Sequence, residues 1–261
     1  MNVKPPDVST PERPKLDDGD KERVLYLRSY LLMRTVIGGI GIGLPLVLLL
    51  GDGLVLAGDM PRGSLSGYYH TGMRDVFVGS LCMIAVFLIT YMFFHYNWDN
   101  VLSIVAGLAA FGVAMFPTGG NATLTPLQEK IGARPVSTVH MVCAAIFILA
   151  LAAISYLFGM REGKRKDRTR EQQERGKWLH WGCGVAIIAA VAYIAATKLL
   201  GQFDRHSLFY GETAAALAFG LSWLMKGFEL NILLGRTPPA TPGAAAPPPQ
   251  TDAAEAPEMA A

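Results

Sequence analysis

The chain has 261 residues, 51% of them hydrophobic, and a net charge of only +2. Its charges are clustered, leaving long stretches with none, a pattern of apolar spans and not of a water-soluble domain. Outer-membrane barrels are excluded because no alternating ten-residue pattern recurs. Nucleic-acid binding is excluded because there is no basic domain with a docking motif.

In chain order, residues 1–24 carry Pro5, Pro6, Pro11 and Pro14 among charges and read as a disordered cytoplasmic tail. The polar start also argues against a cleaved signal peptide, so the first apolar helix is expected to be a retained anchor. Uncharged runs follow at 35–51, 76–94, 100–128, 141–160, 181–197 and 213–225. A bilayer's hydrocarbon core needs roughly 20 apolar residues per helix, and only helices or closed barrels satisfy their backbone in lipid. The expected fold is therefore all-α, a six-transmembrane helical bundle over 25–235. Its spans are placed at 29–51, 75–95, 100–117, 138–160, 178–199 and 209–234. Residues 236–261, rich in proline and alanine, read as a second disordered cytoplasmic tail.

Of the 23 lysines and arginines, 17 fall on the side that holds both termini. The positive-inside rule puts that side in the cytoplasm and the chain in a cell membrane, expected to be a bacterial inner membrane. Trp98, Trp178 and Trp181 then lie at the cytoplasmic interface. The segment 161–177 has eight basic and four acidic residues. It reads as a topology signal on a solvated helical extension, with attraction to anionic headgroups as the alternative. Gly39 and Gly43 have the spacing that lets membrane helices approach closely. The glycines of the first helix, with Gly79, Gly107 and Gly112, are expected against neighbouring helices. Cys82, Cys143 and Cys183 fall inside spans and read as apolar fillers.

Ionisable residues gather where three spans begin on the outer face. His70, Arg74 and Asp75 precede or open the second span, His140 opens the fourth and Glu212 opens the sixth. A carboxylate at a helix start interacts favourably with the helix dipole, and Asp75 reads equally as a cap. His140 has no such reason to be there. Ionisable residues in spans face bundle interiors and pair, so these five are expected to form one outer polar pocket. Its mixed signs suit a zwitterionic or anionic lipid headgroup, with Arg74 as phosphate clamp. A zinc-assisted lipid hydrolase is a further alternative. Ser66, His70 and Asp75 faintly resemble the Ser/His/Asp set of the alkaline ceramidase and adiponectin receptor superfamily, but the chain lacks its His-x-x-x-His and its seventh span. No metal and no cofactor is expected. A second polar set, His95, Asp99, His180, Lys226 and Glu229, reads as interfacial anchoring, with Lys226 and Glu229 spaced to pair on one helix face.

The segments "YYHTGMRDVFVGSL" (68–81), "VAMFPT" (113–118), "VHMVCAAIF" (139–147) and "AFGLSWLMKG" (218–227) resemble the bacterial membrane proteins catalogued as domain of unknown function 998. These are more distantly similar to the DRAM and GPI-anchor remodelling six-span proteins. The resemblance covers residues 25–235 and implies a six-span fold with relatives that touch lipid handling. It brings no catalytic residues. The expected partner is a membrane lipid. The alternative is a non-enzymatic component that binds a membrane-protein partner or a second copy of itself.

Overall fold

The computed structural model describes residues 18–58, 60–90, 98–119, 124–164, 169–202 and 204–227. Seven α-helices account for most of them: α1 (Asp18–Leu50), α2 (Arg74–Thr90), α3 (Trp98–Met115), α4 (Pro126–Ile131), α5 (Ala133–Glu162), α6 (Arg170–Leu199) and α7 (Ser207–Gly227). No strand occurs among the described residues. Each of the six expected apolar helices coincides with one of the long helices. The short α4 was not anticipated. Its start is nonetheless local chemistry: Thr125 and Gln128 form a reciprocal capping box around Pro126 at the first position. Thr169 and Gln172 do the same at the start of α6. Gly132, at φ 106°, turns the chain from α4 into α5, a conformation closed to most side chains.

Among the described residues, four stretches are long and apolar enough to cross a membrane: Leu31–Val55, Ala133–Glu162, Arg170–Leu199 and Ser207–Lys226. Asn100–Met115 is apolar but shorter. At 1.5 Å per residue, the 30-residue helices α5 and α6 extend about 45 Å, beyond a roughly 30 Å hydrocarbon core. Their charged extensions therefore project past it.

The long helices pack as a closed ring. In order around it, α1 lies against α7, α7 against α6, α6 against α5, α5 against α3 and α3 against α2. Helices α2 and α1 close the ring along its slightest seam. Two apolar clusters fill the interior. One joins Tyr68, Tyr69 and Leu65 to Phe77, Leu81, Val113 and Phe209. The other gathers Phe158, Phe219, Trp223, Ile154 and Ile187. Many outward-facing residues are also large and apolar, among them Leu46, Val47, Met83, Leu108, Ile146 and Val185. A surface of that kind suits lipid and not water.

The glycine expectation divides. A Cβ on Gly38 would stand 2.6 Å from the backbone nitrogen of Leu224, and one on Gly220 would stand 2.7 Å from that of Ile42. Gly107 and Gly112 likewise meet Ile89 and Cys143. Gly39, Gly43 and Gly79, by contrast, have nothing within 4 Å. The close approach of α1 to α7 is thus built on Gly38, Gly41 and Gly220. The Gly39-x-x-x-Gly43 pair lies on another face of the same helix, because neighbouring positions are turned about 100° apart. Gly38→Leu should lower stability by roughly 1–3 kcal/mol through overpacking. Gly39→Leu should leave the melting temperature in detergent almost unchanged.

Candidate functional site

Residues 51–58 and 60–73 form a cap over one end of the ring. They leave α1 through a π-turn at Gly51–Val55 and reach α2 through a 3₁₀ turn at Ser66–His70. Arg62 Nε donates to Asp52 Oδ2 at 2.6 Å, closing the first part of the cap. The Asp52 side chain is only 2% exposed, so this carboxylate needs the pairing. Gly58 lies against the pair, where a Cβ would stand 2.6 Å from Asp52 Oδ2. Leu65, Tyr68 and Tyr69 turn down into the bundle. Burial pushes the Tyr68 phenol above its ordinary pKa, so it stays neutral, and its oxygen accepts from the Arg62 backbone at 3.5 Å.

Glu212 reaches the cap from α7. Its Oε2 accepts the Leu65 backbone N–H at 2.6 Å, a donor that the start of the 3₁₀ turn cannot satisfy within itself. His140, on α5, is 1% exposed. Its Nδ1 donates to the Phe116 carbonyl at 2.7 Å. That carbonyl lies just past the end of α3, where Pro117 interrupts the helix. The bond assigns the proton to Nδ1 in the neutral ring and leaves Nε2 an acceptor.

His140, Glu212 and Ser66 share an internal cavity of about 100 Å³. Its other walls are apolar, with Leu44, Phe77, Leu81, Phe147, Leu151, Ile187 and Phe219 among them. Glu212 bonds the cap at Leu65, and His140 bonds the Phe116 carbonyl. On α5, His140 precedes the wall residues Phe147 and Leu151, and on α7 Glu212 precedes Phe219. From His140 to Leu151 the cavity wall extends about 16 Å along the helix. The result is an apolar chamber with a hydrogen-bonding end.

The remaining expected residues lie elsewhere. His70 Nε2 donates to the Thr118 carbonyl at 2.9 Å, and that carbonyl also accepts Gln128 Nε2 at 3.1 Å. The two histidines therefore serve the carbonyls on either side of Pro117 past the end of α3, one inside the bundle and one at its rim. Arg74 is exposed, stacks 4.8 Å from the centre of the Tyr69 ring and donates to the Tyr69 hydroxyl at 3.2 Å. Asp75 is exposed in the first turn of α2, the place that the helix dipole favours for a carboxylate. Neither His70, Arg74 nor Asp75 lines the cavity. Two of the five residues share the chamber. His70 and Arg74 are tied to its cap and rim.

At the opposite end, Lys226 Nζ donates to Glu162 Oε2 at 2.5 Å, with 10% and 3% of the side chains exposed. Arg34 and Lys226 both lie over the Phe158 ring, 5.5 and 5.8 Å from its centre. His180 Nδ1 and Ser222 Oγ form a buried hydrogen bond of 2.9 Å. The second polar set is thus partly interior. Lys226 pairs across helices with Glu162. Glu229 and His95 lie outside the described residues, as does the Asp99 side chain. Sequence reading missed Arg34, Asp52 and Glu162 because each stands at the edge of an apolar run, where solvation is the simpler reading. The visible signal was distance: Arg34 and Glu162 border uncharged runs at the same end of the bundle as Lys226.

Among the described residues, no three His, Cys, Asp or Glu side chains come together as a metal-binding group. Comparison of the chain with known protein families, curated proteins and solved structures returns no match.

Proposed function

We propose that the protein is a six-span membrane protein that binds a membrane lipid from the outer leaflet. The observation that supports this most is the chamber: apolar walls closed by His140, Glu212 and Ser66. An amphiphile needs both parts. Hydrocarbon enters the apolar length, and the polar head meets the histidine acceptor, the serine hydroxyl and, at the rim, Arg74. A chamber of about 100 Å³ is somewhat smaller than the roughly 150 Å³ cavity known to hold benzene, so it accommodates part of one chain at a time. The slight α1–α2 seam is the natural side entrance. Resemblance to domain of unknown function 998 and its lipid-handling relatives points the same way.

Orientation rests on the positive-inside rule, with both termini cytoplasmic and the cap outside. Reporter fusions after Gly120 should give external activity and fusions after Arg170 should not. The reverse pattern moves the chamber to the inner leaflet.

The structural alternative has its own support, since Glu212 is engaged by the cap backbone and can act as a pin alone. Lipid analysis of purified protein separates the two. Ala144→Phe or Ala216→Phe, each filling the chamber, should strip most of the bound lipid. Ala145→Phe, on a different face of α5, should not. Equal lipid content in all three, at unchanged melting temperature, favours the pin.

A further inference from the structure

At the far end of the bundle, α5 and α6 enclose a groove of about 460 Å³ that the chamber does not involve. Lys164, Arg170, Gln173, Glu174, Lys177 and Trp181 line it. Among the described residues, three cations thus face one carboxylate. The floor is built by close packing: a Cβ on Gly159 would stand 2.3 Å from Trp181 Cδ1, so only glycine lets the indole lie against α5. Lys177 Nζ sits 4.3 Å from the centre of that indole ring. The Trp181 N–H is buried and has no hydrogen-bond partner among the described residues.

The groove's depth is marked independently. Tyr156 stacks on Trp181 at 5.4 Å, and Trp178 meets Trp181 edge-on at 5.5 Å. Tyr156 and Trp178 are exposed. Such a cluster at the end of apolar spans sits at headgroup level, where amphipathic rings partition. Below it the faces of α5 and α6 are apolar, and above it they are charged. A ligand here meets cations at its head and hydrocarbon beneath.

We infer that this groove is a binding site for an anionic phospholipid headgroup of the inner leaflet, its phosphate diester held by Arg170, Lys164 and Lys177. The guanidinium fork matches two phosphate oxygens, and the lysines supply point charges. Glu174 opposes a second negative charge close to α6, which favours a monoanionic headgroup. The inner-leaflet assignment shares the orientation adopted above, but the site is independent of His140 and Glu212. Its failure leaves the outer chamber untouched.

The test uses the full chain in detergent, titrated with equal amounts of phosphatidylglycerol and phosphatidylcholine of matched chains, read by native mass spectrometry. Wild type should favour phosphatidylglycerol by roughly thirtyfold, the scale expected of two net cations at about 1 kcal/mol each. Lys164→Gln with Lys177→Gln should bring the ratio close to one, and Arg170→Gln should reduce it by itself. Arg175→Gln removes a cation that pairs with Glu171 on the exposed face of α6, outside the groove, and should leave the ratio unchanged. Equal losses in all variants mean a diffuse basic surface and overturn the site. So does a wild-type ratio near one, or a ratio that survives the groove substitutions. Displacement of the lipid by an equal concentration of glycerol 3-phosphate identifies a soluble phosphate ligand and also overturns it.

Discussion

Lys226→Met should destabilise the protein by about 3 kcal/mol, the low end of the cost of leaving one member of a buried ion pair behind. For a chain of this size, that lowers the melting temperature by roughly 6–12 °C. Glu162 is 3% exposed along its side chain and so has little water to replace the lost ammonium. The companion variant carries the argument. Glu162→Met combined with Lys226→Met should recover most of the loss, because apolar residues of similar volume often replace a buried pair at little cost. Thermal unfolding in detergent measures both. If the double variant is worse than the sum of the singles, the pair contributes more than mutual neutralisation, and Arg34 is the residue to examine next.

Glu212→Leu should loosen the cap. The substitution removes the acceptor for the buried Leu65 N–H. Each buried donor left without a partner costs roughly 1–3 kcal/mol. Hydrogen exchange should therefore accelerate over residues 60–70 while α5 and α6 stay protected. Glu212→Gln retains a carbonyl oxygen and should keep the cap ordered. Loosening of equal size in both variants would mean that charge, and not hydrogen bonding, holds the cap.

Much of the helix pattern was legible because an apolar run without charge has few stable forms in lipid. The starts of α2 and α7 and both ends of α5 fall within five residues of the stretches read from sequence, whereas α6 starts eight residues before its expected span. The α4 turn was not read, because its capping box lies in a segment whose composition resembles any loop. Site residues were harder. His140 and Glu212 stood out as ionisable groups at the start of apolar runs, and both line the chamber. Asp75 and Arg74 stood out for the same reason yet lie outside it, because linear position gives depth but not helix face. At about 100° per residue, Asp75 is turned about 160° from Phe77, which is buried in the cap's core. The same rotation explains why Gly38 packs and Gly39 does not. Long-range pairs such as Lys226 with Glu162 needed the ring order, which no local pattern encodes.

Lipid occupancy of the chamber is best measured directly in native membranes. A phospholipid with a photoactivatable group near the end of one acyl chain is incorporated, cross-linked and mapped by mass spectrometry. Adducts on Phe147, Leu151 or Phe219, removed by Ala216→Phe, are the expected result. Adducts confined to outward-facing residues such as Leu108, Ile146 and Val185, with none in the chamber, would contradict lipid binding there and leave the cap-pinning role of Glu212 as the function of the site.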